Sequence, residues 1–221
     1  MLALLLTASL TIASCDRPAP EPVSFHSRGF GYVAEIFPPK SRQNRGPRSV
    51  AYLYAMGYPG TDWRVQARRL WTAELAAQRF PLAALVSQAG HLITLDDHYE
   101  YGGGTALVIY DRDGRFVPSF TLDELLEPRD LAGVQWSDCG RAWRQGVRFL
   151  FTVATDAKLY LLLPSRRAIE LTLKTGALRR GARGDFPALD AIVARQFPNE
   201  EAEVWATSLR FSSISDLLSK N

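Results

Sequence analysis

From Leu82 to Leu95 the chain reads LAALVSQAGHLITL, two apolar runs broken by a short polar turn, and Phe149 to Leu162, FLFTVATDAKLYLL, repeats that pattern. The match resumes downstream. Ala106 to Phe116, ALVIYDRDGRF, corresponds to Ala168 to Leu178, AIELTLKTGAL, with Gly114 and Gly176 in register. Short apolar runs bounded by turn residues predict strands, and self-similarity at fixed spacing predicts a repeated unit. Each copy thus reads as four strands, one pair around Ser87 to Gly90 or Thr155 to Ala157 and a second pair around the glycine. A looser third copy lies upstream, with strands at Val23 to Ser27, Phe30 to Phe37, Ser49 to Met56 and Arg69 to Ala73. There Leu70 to Gln78 also fits a helix with Thr72 at its N-cap, since Ala, Glu, Leu and Gln favour that state. The reading preferred is strand through Trp71 with a short helical turn after it.

Turn chemistry adds detail. Asp113-Gly114 between LVIY and RFVPSF predicts a tight hairpin whose two central residues have positive φ. Pro118 marks an edge position, because it donates nothing to a ladder. Thr121-Leu122-Asp123-Glu124 has the form of a capping box and predicts a short helix through Leu126, ended by Pro128. Asp185 is expected to cap a helix with Pro187 in its first turn, running to about Phe197. Val204 to Phe211 reads as one more strand, and Ser213 or Ser215 as the cap of a helix over Ile214 to Leu218. The expected fold is mainly β: four-stranded antiparallel meander repeats near residues 23–78, 82–120 and 148–180, with a few short helices, in one β-rich domain spanning 23–221.

Four-stranded repeats of this kind resemble the blades of a β-propeller, although a closed ring usually needs at least about four of them. Two clear units and one loose one imply a partial propeller, an open array, or a sandwich whose helices cover exposed edges. From about Phe30 to Arg179 the body also resembles a loosely defined group of uncharacterised bacterial proteins. Their pattern matches Leu92-Ile93-Thr94-Leu95-Asp96, a Gly-rich loop, Val108-Ile109-Tyr110-Asp111 with Gly114, and Leu122 to Leu126. That resemblance implies a fold and carries no activity.

The other strong pattern is at the start. Leu2 to Ala13 is apolar and leads into Ile12-Ala13-Ser14-Cys15, which resembles the lipobox of bacterial lipoproteins. The run is shorter than the roughly 20 residues of a membrane span and fits a signal h-region of about 7 to 15. Residues 1–14 are therefore expected to be a signal peptide and Cys15 the lipidated residue, with 15–22 as a tether in which Pro18, Pro20 and Pro22 favour an extended chain. One departure stands out: no Lys or Arg precedes Cys15, where such signals carry a positive n-region. The chain has 2 cysteines. Lipidation of Cys15 leaves Cys139 without an intramolecular partner, while a Cys15–Cys139 disulfide is the rival interpretation.

Composition sets outer bounds. Of 221 residues 47% are hydrophobic and 22% charged, a globular balance, and 26 basic against 23 acidic side chains give only +3. Basic clusters at Lys40 to Arg48, Arg64 to Arg69 and Arg179 to Arg183 are far apart and lack aromatic interleaving, so they read as solvated faces, and no nucleic-acid partner is expected. Lys40, Arg42, Arg45 and Arg48 also suit an anionic lipid surface.

The segment Asp96-Asp97-His98-Tyr99-Glu100-Tyr101-Gly102-Gly103-Gly104-Thr105 concentrates the candidate chemistry. It replaces the short connection Leu163 to Arg167 of the other copy, and Asp96, Asp97, His98 and Glu100 offer oxygen and nitrogen ligands to a polar ligand or a divalent cation. The ordinary alternative is a polar connection between strands. Asp111 to Gly114 lacks the later acids of a calcium loop, and Gly102 to Gly104 lack the helix and Lys of a phosphate loop. No Gly-x-Ser-x-Gly elbow anchors a catalytic serine near His26, His91 or His98. Trp136 and Trp143 bracket Cys139 and suit a core position or a stacking platform for a glycan or peptide. No cofactor is implied. The expectation is a lipid-anchored envelope module facing the periplasm or cell exterior, binding or scaffolding an envelope protein or glycan; the alternative is a metal-dependent or hydrolytic enzyme using Asp96 to Glu100.

Overall fold

The computed structural model describes residues 20–27, 31–39, 48–57, 67–76, 80–97, 102–137, 140–152 and 157–196. These form a mainly β molecule of three four-stranded antiparallel sheets. The first contains β1 (Val23–His26), β2 (Tyr32–Phe37), β3 (Val50–Ala55) and β4 (Arg68–Glu74). The second contains β5 (Pro81–Val86), β6 (Leu92–Asp97), β7 (Thr105–Tyr110) and β8 (Phe116–Thr121). Two short helices, α1 (Leu122–Leu125) and α2 (Pro128–Leu131), and a small hairpin of β9 (Trp136–Ser137) and β10 (Gly140–Arg141) lead to the third sheet. It contains β11 (Arg148–Phe151), β12 (Lys158–Leu162), β13 (Arg167–Thr172) and β14 (Leu178–Ala182), followed by a 3-10 turn at Arg183–Asp185 and α3 (Pro187–Gln196). Within each sheet the strands pair in chain order.

Side-chain alternation explains how the sheets stack. In the second sheet Ala84, Val86, Leu92, Val108 and Tyr110 turn towards the first sheet, meeting Phe25, Ala34, Ile36, Leu53 and Trp71. The opposite face, with Ala83, Ile93, Leu95, Leu107 and Ile109, meets Leu159, Leu161, Ile169 and Leu171 of the third. Both faces being covered, β6 and β7 read as near-continuous apolar runs rather than alternating ones. The outer face of the third sheet is covered in turn by Phe186 and by Leu189 and Val193 of α3. Among the described residues the result is an open stack, with β1 pairing only β2 and β14 only β13.

Several local expectations change. β4 stays a strand through Glu74, so the helical alternative for Leu70 to Gln78 fails over its described part; Trp71 and Leu53 are cross-strand partners and both are buried, which outweighs helix propensity. Only Gly114 of the Asp113-Gly114 pair has positive φ, at 80°. Asp111 spans a longer turn: its backbone N–H donates to Arg115 O at 2.9 Å, and its Oδ1 accepts from Asp113 N and Arg115 N, each at 2.9 Å. The capping box is present, Glu124 N donating to Thr121 Oγ1 at 3.2 Å and Thr121 N to Glu124 Oε2 at 2.7 Å. Pro128 does more than stop α1, since it occupies the first turn of α2, where its missing N–H costs nothing. Asp185 does not cap α3; its carboxylate accepts from Ala182 N at 2.8 Å and closes the 3-10 turn before it. The strand at Val204 to Phe211, the helix at Ile214 to Leu218, and both cysteines lie outside the described residues.

Glycines fix how neighbouring sheets approach. A Cβ on Gly114 would lie 2.8 Å from the Trp71 ring on β4, and one on Gly176 would lie 2.2 Å from Pro118 on β8. The two glycines aligned by sequence thus do the same job, seating the outer hairpin of one sheet on the last strand of the sheet before it.

Candidate functional site

Asp96 sits at the end of β6 with φ of 52°, a left-handed conformation that Asp tolerates better than most residues. The ladder with β7 ends at Leu95, while Asp97 still pairs with Pro81 on β5, so the chain leaves the sheet progressively. The sequence expectation of a loop from Asp96 to Thr105 therefore shortens at both ends, because β6 runs through Asp97 and β7 begins at Thr105.

The Asp96 side chain turns inward and is 1% exposed. Its Oδ1 accepts from the Trp143 indole Nε1 at 2.7 Å and from Gly102 N at 3.1 Å. Its Oδ2 lies 2.7 Å from Arg144 Nε, a charge contact rather than an aligned hydrogen bond. Burial pushes the carboxyl above the ordinary aspartate value, while Arg144, Trp143 and the Gly102 amide draw it back. Gly102 is required by proximity as well as by its φ of 56°, because a Cβ there would lie 2.9 Å from Arg141 Cβ. One carboxylate thus joins the end of β6, the loop leading to β7 and the turn before β11. Arg141 adds an exposed link to Asp123 at 3.1 Å.

Of the four residues singled out, Asp96 is committed to this knot, and Asp97 follows it on β6, half-buried. His98 and Glu100 lie outside the described residues. A cation on Asp96 would have to displace the Arg144 guanidinium, at the cost of leaving a buried network partly unpaired. Among the described residues, no three His, Cys, Asp or Glu side chains gather as a metal site. Trp143, 3% exposed and edge-on to Phe149 with centroids 6.1 Å apart, takes the core alternative. The side chain of Trp136 lies outside what is described.

His91 belongs to local structure. Ser87 Oγ accepts from Ala89 N at 3.2 Å and from His91 N at 3.0 Å, and lies 3.3 Å from His91 Nδ1. With Ser87 2% and His91 8% exposed, the pair locks the β5–β6 turn, and burial lowers the imidazole's affinity for a proton. The cluster at Arg179 to Arg183 lies on an exposed face, as expected, and also supplies struts. Arg180 donates to the carbonyls of Leu125 and Glu124 on α1, Arg179 to Asp185 O at 3.2 Å, and Arg183 to Asp190 Oδ1 at 2.8 Å.

Sequence reasoning found Asp96 and missed its partners. Trp143 is 47 residues away, with α1, α2 and the β9–β10 hairpin intervening, and no local pattern joins the two. No protein-family model matches the chain, and no curated protein is significantly similar to it.

Proposed function

We propose that the chain is a lipid-anchored module of the bacterial cell envelope that binds or scaffolds an envelope protein or glycan. The observation that carries this reading is Ile12-Ala13-Ser14-Cys15 after an apolar run, followed at once by the proline-rich stretch Pro18 to Pro22. A diacylglyceryl group on Cys15 would hold the molecule at a membrane, and the tether would carry the sheets away from it. The stacked sheets favour a binding or scaffolding role, because repeated units create broad surfaces rather than one deep cleft. Asp96 favours it too, since its carboxylate is occupied by Trp143, Gly102 and Arg144.

Mass spectrometry of the membrane fraction tests the anchor. The expected mature chain begins at an acylated Cys15, and Cys15→Ser leaves the protein unprocessed or released from the membrane. An unmodified chain retaining Met1 in the soluble fraction would overturn the reading.

A further inference from the structure

The two ends of the first sheet are furnished differently. Val23 at the start of β1 pairs with Ile36, so the chain arriving from Cys15 joins the sheet at the end where β2 finishes with Phe37 and β3 begins with Val50. The connection from β2 to β3 leaves that end and returns to it. Between Phe37 and Val50 the sequence carries Lys40, Arg42, Arg45 and Arg48 and no acidic residue, against Glu21 before β1 and Glu74 opposite Val50. With both of its ends held on the sheet, the connection reaches at most about 16 Å from it, which keeps its charges at that end. Arg48 is exposed. Phe37 is there as well, 37% exposed, one of the two large hydrophobic side chains left exposed among the described residues. The opposite end of the sheet has basic residues of its own, Arg68 and Arg69, which pair with Ala55 and Tyr54 of β3.

We infer that the Phe37–Arg48 end of the first sheet is a membrane-contact surface, and that its partner is the anionic headgroup layer of a bilayer. The inference rests on the proposed anchor. Fully extended, the stretch from Cys15 to Val23 reaches at most about 30 Å, so an acyl group on Cys15 confines this end of the sheet to the neighbourhood of the lipid. Charge selects the partner: basic residues beside an anchored segment are drawn to anionic lipid, each strengthening binding about fivefold, and an exposed Phe suits the boundary between headgroups and acyl chains. The tether sets how far the sheets stand off, and this end is the part that returns to the bilayer. Acyl chain and basic end then act as two signals on one side of the molecule, and Arg68 and Arg69 lie at the far end of the same strands.

Co-sedimentation of the full Cys15→Ser chain, which carries no acyl group, tests it with vesicles of phosphatidylcholine alone and of phosphatidylcholine mixed with phosphatidylglycerol. Residues 1–14 have no charged side chain, so what they add is the same on both vesicles. Tighter binding to the mixed vesicles is expected, with the preference falling about 25-fold in Arg45→Ser/Arg48→Ser and fading at high salt. Phe37→Ser is expected to weaken binding to the mixed vesicles, and Arg68→Ser/Arg69→Ser to leave the preference unchanged. Equal binding to both vesicles would overturn the inference, and so would a loss from Arg68→Ser/Arg69→Ser as large as that from Arg45→Ser/Arg48→Ser. Because the acyl group is missing throughout, either of those results leaves the anchor itself untouched, which is decided by the mass of the mature chain.

Discussion

The two interfaces between sheets use the same apolar materials and are sealed by different physics. Between the first and second sheets, Trp71 is 8% exposed and lies against Gly114, and its indole nitrogen has no hydrogen-bond partner among the described residues. A neutral polar link spans it, Ala76 N donating to Tyr110 Oη at 2.9 Å, with burial pushing that phenol up to about 12. Between the second and third sheets, Trp143 donates its indole N–H to the buried carboxylate of Asp96, which also holds Gly102 and Arg144. One seam is closed by shape and the other by a charged knot. A seam closed by shape fails when volume is added; a knot fails when one partner is removed and the others are left unpaired.

The largest expected effect is therefore at Asp96. Asp96→Ala strands two buried donors and leaves Arg144 uncompensated, and should cost about 3 to 5 kcal/mol in denaturant unfolding at unchanged m-value. Asp96→Asn keeps an acceptor for Trp143 and Gly102 but leaves Arg144 without its counter-charge, so it should cost less than Asp96→Ala, about 1 to 3 kcal/mol. Equal losses from Asn and Ala would mean that the charge itself, and not the hydrogen bonds, closes this seam.

Next comes Gly114→Ala, which acts on the other seam. A side chain there meets a left-handed backbone, φ 80°, and the Trp71 ring at 2.8 Å. The expected loss is about 2 to 5 kcal/mol, from roughly 1 to 2 for the conformation and 1 to 3 for overpacking. A melt indistinguishable from wild type would show that the hairpin does not rest on Trp71.

A smaller effect is expected from pH. Burial lowers the His91 pKa below its ordinary 6.5, so the unfolded chain binds the proton more readily. The corresponding stability is present above pH 6.5 and is lost as pH falls from there towards the folded pKa. His26 has the same sign. His91→Gln should flatten the fall in melting temperature below pH 6.5; an unchanged slope would assign that fall to other groups.

How much of this was legible in the sequence follows from range. Strand positions could be read because alternation and turn residues act over a few positions: Gly114 and Gly176, aligned by pattern, both have positive φ and both seat a hairpin on the preceding sheet. Thr121 and Glu124 announced their box because capping is a three-residue matter. The β9–β10 hairpin was not announced, since each of its strands is two residues long, too short to show a period. Neither was the partnership of Asp96 with Trp143 and Arg144, which depends on how α1, α2 and that hairpin fold back over β6. An acidic strand end looks the same in sequence whether it faces solvent, a ligand or a buried indole.

The central claim, that Asp96 and Trp143 act as one unit closing the second seam, is tested most directly by a double-mutant cycle. Unfolding free energies are measured for wild type, Trp143→Phe, Asp96→Ala and the double variant, with Trp71→Phe as the matched control at the other seam. Coupling of about 1 to 3 kcal/mol between positions 96 and 143 is predicted, with Trp71→Phe costing less than Trp143→Phe because it removes a donor that has no partner among the described residues. Additivity of Trp143→Phe and Asp96→Ala to within about 0.5 kcal/mol would contradict the account.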